Sequence, residues 1–500
     1  MKTTFRRYIL TVAVVASAGN LVAQELNSAY FTDDFKYRHS MNAAFGNDQG
    51  YVAIPVLGNL SMRVQGNLGV GDVLWKNPDY GVVPGAKKTT TFMHPGISAA
   101  DALNKFERDG SKLLFDMDVD IVSVGFRAFK GYNTVEVRER NSIGLMLPYE
   151  FFELAKDLRN RDYVISDLGL RGQSYVEIAL GHSHQINDNL RVGAKVKALL
   201  GGGRAELTMN DMHATFREDK WLLQGQAKGE LSLKGATFLT EHKDYESETR
   251  TGGYNQVNDI DVDGTGVSGF GLGVDLGAIY ELKETGIDAI DGLKVSASLN
   301  DLGFISWSNN LLVENNGKPF TFDGFKGVDV KKGDGRHTMS KEGDRIKDEL
   351  TDFVALQDRG DQGSKSTALA ATARLGVEYP LPMYNKVSFG LLGTHRFNGD
   401  YSWTEGRLSA NWKPLKWLDG GINVAVTTYT TTMGWILNIH PVGMNIFMGM
   451  DHIVGKTGAS MVPLESNVSF CFGMNVAWGK KKAEKKNGKK DEKSKHKSKL

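Results

Sequence analysis

The sequence predicts an all-β chain: a transmembrane antiparallel β-barrel of about 14 strands, with long loops and a short N-terminal segment inside the lumen. Three observations predict it. Apolar residues alternate with polar or small ones at period two, over segments of ten residues and more. The first residues read as an export leader. The composition is rich in glycine (58) and aromatics (10 %) and poor in proline (11). That suits long, closely packed strands edged by aromatic rings.

The leader comes first. Lys2, Arg6 and Arg7 precede an apolar run from Tyr8 to about Ala18, and Leu21-Val22-Ala23 offers a small residue before Gln24. This predicts a signal peptide over residues 1–23. The apolar run is short against the ~20 residues of a spanning helix, and no later stretch reads as one. Only helices and closed barrels satisfy every backbone group in lipid. The expected location is therefore the outer membrane of a Gram-negative bacterium, crossed by strands.

The barrel is expected over residues 24–478. Val176, Ile178 and Leu180 alternate with Glu177, Ala179 and Gly181. Val192, Ala194, Val196, Ala198 and Leu200 share one row, and Arg191, Gly193, Lys195 and Lys197 the other. Phe270, Leu272, Val274, Leu276, Ala278 and Tyr280 oppose mostly glycine and Asp275. Val295, Ala297 and Leu299 face away from Lys294, Ser296, Ser298 and Asn300, and Leu375 and Val377 from Arg374 and Glu378. In the last strand Phe470, Phe472, Met474, Val476 and Trp478 oppose Cys471, Gly473, Asn475 and Ala477. Apolar rows suit lipid and polar rows a lumen.

A soluble β-sandwich would also alternate, but three features separate the two. The segments exceed the ~5–6 residues of a soluble strand. Aromatics close the rows at Tyr280, Trp307, Tyr379 and Trp478, where an interfacial girdle belongs. Charges such as Lys195, Lys197 and Arg374 do not suit a packed sandwich core. Lys195, Lys197, Asp275, Asp301 and Arg374 are accordingly the candidate lumen-lining residues. Asp301 and Gly303 share a face in an otherwise regular strand, which predicts a bulge or bend beside any solute route.

Two inserts interrupt the rhythm, residues 77–111 and the polar stretch 309–366. Barrels keep long loops outside, so 309–366 is placed there. Short helices are expected over 149–159 and 348–357. The tail, 479–500, holds eleven lysines and three acids, a net of +8. With +3 in the leader and +1 overall, the body between carries −10. The tail is expected to be disordered, and in the periplasm it would suit an anionic protein partner. The export leader excludes a nucleic-acid role.

Chemistry-bearing motifs are sparse. Asp259, Asp261, Asp263 and Gly264 open like a calcium loop, but its twelfth position is Phe270 instead of an acid. An acidic turn between strands is the plainer reading. His182 and His184 share a strand face with no evident third ligand, so the lipid–water boundary suits them better than a metal. Cys471, the single cysteine, allows no internal disulfide. No nucleophile elbow, metalloprotease histidine pair or phosphate loop is present. The chain is expected not to be an enzyme and to need no cofactor.

Several stretches resemble a known family when taken together. They are Ser28-Ala29-Tyr30, the run from Tyr37 to Phe45, the run from Gly50 to Asn59, Thr91-Phe92-Met93-His94-Pro95, the run from Gly269 to Ala278, and Ser298-Leu299-Asn300-Asp301-Leu302-Gly303-Phe304. The combination resembles an uncharacterised family of Bacteroidota outer-membrane barrels, a domain of unknown function. That family is distantly similar to the fatty-acid transporter barrels and to the shuttle barrel of type IX secretion. Such barrels often carry Asn-Pro-Ala where this chain has Asn42-Ala43-Ala44. The resemblance implies a barrel that passes a small or hydrophobic solute through its lumen or a lateral opening. The alternatives are a non-transporting scaffold for a periplasmic or secreted protein partner, and a lipid hydrolase of the outer membrane.

Overall fold

The computed structural model describes residues 26–55, 57–157, 161–217, 220–244, 253–287, 290–315, 320–322, 355–384, 386–453 and 467–479. The expected leader, 1–23, and the tail beyond Gly479 lie outside these, as does most of the helix expected over 348–357. The other expected helix forms over Tyr149–Lys156.

Fourteen antiparallel strands close into a barrel. They are β1, in two pieces, Gly50–Ala53 and Leu60–Gly66; β2, Ser111–Ala128; β3, Gly131–Leu147; β4, Leu168–Gln185; β5, Leu190–Phe216; β6, Gly269–Glu281; and β7, Lys294–Trp307. They continue as β8, Thr372–Pro380; β9, Val387–Arg396; β10, Trp403–Leu415; β11, Leu418–Thr427; β12, Thr431–Ile439; β13, Met444–Met450; and β14, Val468–Trp478. Each pairs with the next, and the seam closes where β1 meets β14, Gly50 opposite Trp478 and Leu60 opposite Phe472. No helix among the described residues is long and apolar enough to cross a membrane.

The alternating rows sort by face. Leu180, Val196, Phe270, Leu272, Leu375, Leu391, Leu408, Ile422 and Val426 stand on the outside, each more than half exposed. Their neighbours Ala179, Lys195, Lys197, Asp275, Arg374, Arg407 and Thr427 are buried inside. A continuous apolar outer wall is a liability in water and is satisfied by lipid.

The two ends differ. At one end the connections are short: residues 129–130, 186–189, 282–293, 381–386, 416–417 and 440–443. At the other lie 67–110, 148–167, 217–268, 308–371 and 451–467, together with the short 397–402 and 428–430. Both expected inserts sit at the long-loop end. There the upper part of β5 carries a side sheet, in the order Trp221–Leu233, Asn310–Glu314, Gln357–Asp361, Gly253–Val262 and Ala236–Asp244. Residues from 67–110 and the helix at 149–156 pack a small separate core, with Phe106 stacked on Phe152 at 3.7 Å.

One girdle expectation is corrected. Trp307 is fully buried, not interfacial. Along β7 the residues Val295 and Ala297 face out and Ser296, Ser298 and Asn300 face in. Asn300 and Asp301 together oppose Asp275, a bulge between Val274↔Leu302 and Leu276↔Leu299. The extra residue inverts the phase, so Leu302 and Phe304 face out and Ile305 and Trp307 face in.

Candidate functional site

The lumen is filled first by the chain's own N-terminus. Residues 26–49 run through it, nearly all of them buried. Their backbone is seated by side chains of the wall. Asp451 accepts from the Asn27 and Ser28 amides at 3.0 and 2.6 Å. Asn300 Nδ2 donates to Ser40 O, Ser298 Oγ to Met41 O and Ser183 Oγ to Ala44 O. Asn42 forms a local turn by accepting from the Ala44 amide at 2.9 Å, and it donates to Ala297 O on the wall at 3.2 Å. The plug turn therefore forms without the proline usual at that position. It lies so near the wall that a Cβ on Gly277 would collide with Asn42 Oδ1, and one on Gly193 with the carbonyl of Ala43. Those two glycines permit the approach.

Around the plug the inward rows carry buried charges in period two: Asp116, Asp118 and Asp120 on β2, and Glu136, Arg138 and Arg140 on β3. They join the predicted residues in two clusters. In the first, Lys197 Nζ lies 2.6 Å from Asp301, 2.8 Å from Asp275 and 3.4 Å from Glu177. Arg140 lies 2.8 Å from the same Asp301 and 3.3 Å from both Asp118 and Glu177. In the second, Lys195 lies 2.5 Å from Glu136, and Arg138 lies 2.6 Å from Asp120 and 3.2 Å from Glu136. His39 of the plug caps that cluster, 3.6 Å from Glu136, with Nε2 hydrogen-bonded to Tyr51 Oη at 2.6 Å. The imidazole of His39 is pushed down to about 3, mainly by burial; Glu136 opposes this, and Lys195 and Arg138 add to it. Arg374 reaches the plug at Asn27 Oδ1, 3.3 Å, and at Met41 O, 3.4 Å.

The wall is interrupted beside the first cluster. β7 and β8 pair from Lys294↔Glu378 to Asn300↔Thr372, and pairing resumes at Phe304↔Ala368. Residues 301–303 and 369–371 stand out of the ladder, with the Leu369 amide donating to Gly303 O at 2.9 Å across the interval. Asp301 holds the bend in a left-handed conformation, φ 59°, its amide donating to Asp275 Oδ1 at 2.7 Å. Asp tolerates that region better than most residues.

A cavity of about 610 Å³ opens at this point. Its inner side is polar, with Ser142, Arg171, Gln173, Arg204 and Glu206. Leu302 and Phe397 stand toward the outside of it, while Leu369 is buried against Tyr175, Leu199, Ile305 and Trp307. Arg204 is engaged by Glu206 and Glu230. Arg171 donates to Asn398 Oδ1 at 2.6 Å and lies 4.1 Å over the ring of Tyr401. A polar inner end with an apolar outer side matches an amphipathic or small apolar guest.

The structure thus buries all five candidate lumen residues, joins Lys197, Asp275 and Asp301, and keeps Lys195 and Arg374 in separate contacts. The acidic run is drawn out. Asp259 and Asp261 lie on the strand Gly253–Val262 of the side sheet, and Asp263 follows it. Alternate residues of a strand stand ~6.6 Å apart, so these carboxylates do not converge as a calcium loop requires. His182 and His184 stack at 5.8 Å near the short-turn end, with His182 Nδ1 2.9 Å from Asn133 Oδ1. The cavity residues Arg171, Gln173, Arg204 and Glu206 were missed. Arg171 and Gln173 continue the row of Glu177 on β4, but on β5 an unpaired Gly202 shifts the phase and brings Arg204 and Glu206 in from the row opposite Lys195 and Lys197.

No curated protein matches the chain. Among solved structures the chain is similar to the toluene transporter TbuX of Ralstonia pickettii, at 8 % identity over 92 % of this chain and 96 % of that one, TM-score 0.39. It is similar to the monoaromatic hydrocarbon channel CymD, at 9 % identity over the same shares, TM-score 0.38. It is also similar to the toluene transporter TodX of Pseudomonas putida, at 8 % identity over 93 % and 95 %, TM-score 0.37. At the level of sequence the family model for a family of unknown function, DUF5723, matches residues 43–451, and the chain belongs to that family.

Proposed function

We propose that this chain is an outer-membrane barrel that passes a small hydrophobic or amphipathic solute through the interrupted wall between β7 and β8. The observation that carries the reading is the cavity of about 610 Å³ beside Asp301. The apolar outer face supports placement in a bilayer. Plug and ion clusters block the axis of the barrel, which favours a sideways route over a through-pore. A guest enters from the long-loop end, rests its polar group near Arg171 and Gln173, and leaves past Leu302 and Ala371 toward lipid. Purified protein in liposomes should accelerate uptake of such solutes. A bulky L302W/A371W pair should slow it at least tenfold while the barrel still forms. Equal uptake with empty liposomes across a panel of apolar and amphipathic solutes would sink the reading.

The side sheet at the long-loop end favours a second reading, a scaffold for a protein partner. Its outer strand, Ala236–Asp244, pairs on one side with Gly253–Val262, and no second pairing is recorded among the described residues. Such an edge accepts another extended segment. Crosslinking from intact membranes separates the readings: a stoichiometric partner lost on deleting 234–264 supports the scaffold, and its absence opposes it.

A further inference from the structure

The geometry points to a divalent transition-metal site, formed by Asp34, Asp419 and His440, that latches the plug to the short-turn end of the barrel. The three come from different elements: the plug, the start of β11, and the connection from β12 to β13. His440 Nε2 lies 3.2 Å from Asp419 Oδ1 and 3.6 Å from Asp34 Oδ2. One ligand atom from each residue falls within 4.8 Å of the others, and among the described residues this is the place where three such groups converge. Metal–ligand bonds of ~2.0–2.2 Å put neighbouring ligand atoms about 3–3.6 Å apart, so the two spacings from His440 need little adjustment. One imidazole and two carboxylates suit zinc or manganese better than calcium.

The surroundings are arranged for an ion. Asp419 and His440 are 4 % and 3 % exposed. Asn438 donates to Asp419 Oδ1 at 2.6 Å, and the Asp34 amide lies 3.3 Å from Asp419 Oδ2. Such outer hydrogen bonds hold a ligating carboxylate in place. Asp419 also borders a cavity of about 90 Å³. Two oxygens in the wall of that cavity, Thr32 Oγ1 and Asn411 Oδ1, are buried and have no hydrogen-bond partner. Three protein ligands leave open positions on the ion, and waters at ~30 Å³ each fit the space and the two oxygens. Lys413 Nζ lies 2.9 Å from Asp34 Oδ2, with its side chain 37 % exposed. It competes with the ion for that carboxylate and can swing to solvent when the ion binds.

The test uses the full chain in detergent, stripped with chelator, then dialysed against Zn²⁺ or Mn²⁺ with Ca²⁺ as control. Bound metal is counted per chain, and trypsin cleavage within the plug at Lys36 and Arg38 is timed with and without ion. About one Zn²⁺ or Mn²⁺ per chain is expected, with slower plug cleavage in its presence. D419N and H440Q should weaken binding on the order of tenfold or more, and K413Q should tighten it by removing the competing ammonium. Heat-modifiable gel migration reports that each variant still forms the barrel. A folded wild-type chain that retains no ion at micromolar concentration overturns the proposal. So does binding that D419N and H440Q leave unchanged.

Discussion

Lys197 serves three buried carboxylates at once, Glu177, Asp275 and Asp301. Breaking a buried pair from one side typically costs ~3–5 kcal/mol, because the partner's charge stays buried. K197M should therefore destabilise the barrel by about that much, read as the midpoint of denaturant unfolding in micelles; a loss under ~1 kcal/mol would mean that the cluster is hydrated. His39 gives the pH dependence. Its folded value is about 3 and its ordinary value 6.5. Below 6.5 the unfolded chain binds a proton that the folded chain refuses, so this contribution is full above 6.5 and is lost as pH falls toward 3. His452, pushed down to about 4 mainly by burial, with Arg63 adding, acts in the same sense. The thermal midpoint should drop between pH 7 and pH 4, and less so in H39Q. An equal drop in both proteins would remove His39 from the account. These charges were partly legible: Lys195, Lys197, Asp275, Asp301 and Arg374 stood out against apolar neighbours. Their partners were not, because alternation tells which face a residue takes, not which strand lies opposite.

Two elements tested the reading of local pattern. The connection between β2 and β3 is just Phe129-Lys130, both left-handed at φ 54° and 59°. Two-residue turns of this hand prefer Asn-Gly, and an L side chain pays ~1–2 kcal/mol per left-handed residue. F129N/K130G should raise the unfolding midpoint by an amount of that order. If stability falls instead, the Phe129 ring, 82 % exposed, is anchoring the turn in the membrane interface. β7 shows the opposite limit of pattern reading. Asp301 and Gly303 gave the bulge away, yet Trp307 was assigned to the wrong face. One inserted residue inverts everything after it, and a periodic pattern read straight through cannot register that. The plug is harder still. Residues 26–49 have no period of their own, because irregular backbone buried in a lumen is satisfied by Asn, Ser and Asp of the wall, scattered from Ser183 to Asp451.

On the scale of the whole molecule, the plug and the wall share one polar interior. Deleting 26–49 should leave strand pairing intact and expose the buried clusters to water. In planar bilayers the wild type should stay closed along its axis and the deletion should conduct; no gain in conductance would mean that the ion clusters alone seal the lumen. β5 extends the same wall outward. Its 27 residues span about 90 Å at ~3.3 Å each, against a membrane band of ~25 Å. In the proposed membrane placement that surplus carries the side sheet well clear of the bilayer. The barrel, its approximate strand number and its apolar face could be read ahead, since each repeats many times along the chain. The cavity could not, since it arises where two strands stop pairing. The seating of the plug also dictates an order of assembly. The Ser28 amide is held by Asp451, 423 positions later in the chain, and the seam joins the first strand to the last. Closing so long a loop is slow, and the end of β13 must be delivered before Asn27 and Ser28 find their place. The N-terminal segment therefore gains its Asp451 anchor only after almost the whole wall has been made, so a chain stalled before the end of β13 would have neither a seam nor the contacts that hold Asn27 and Ser28.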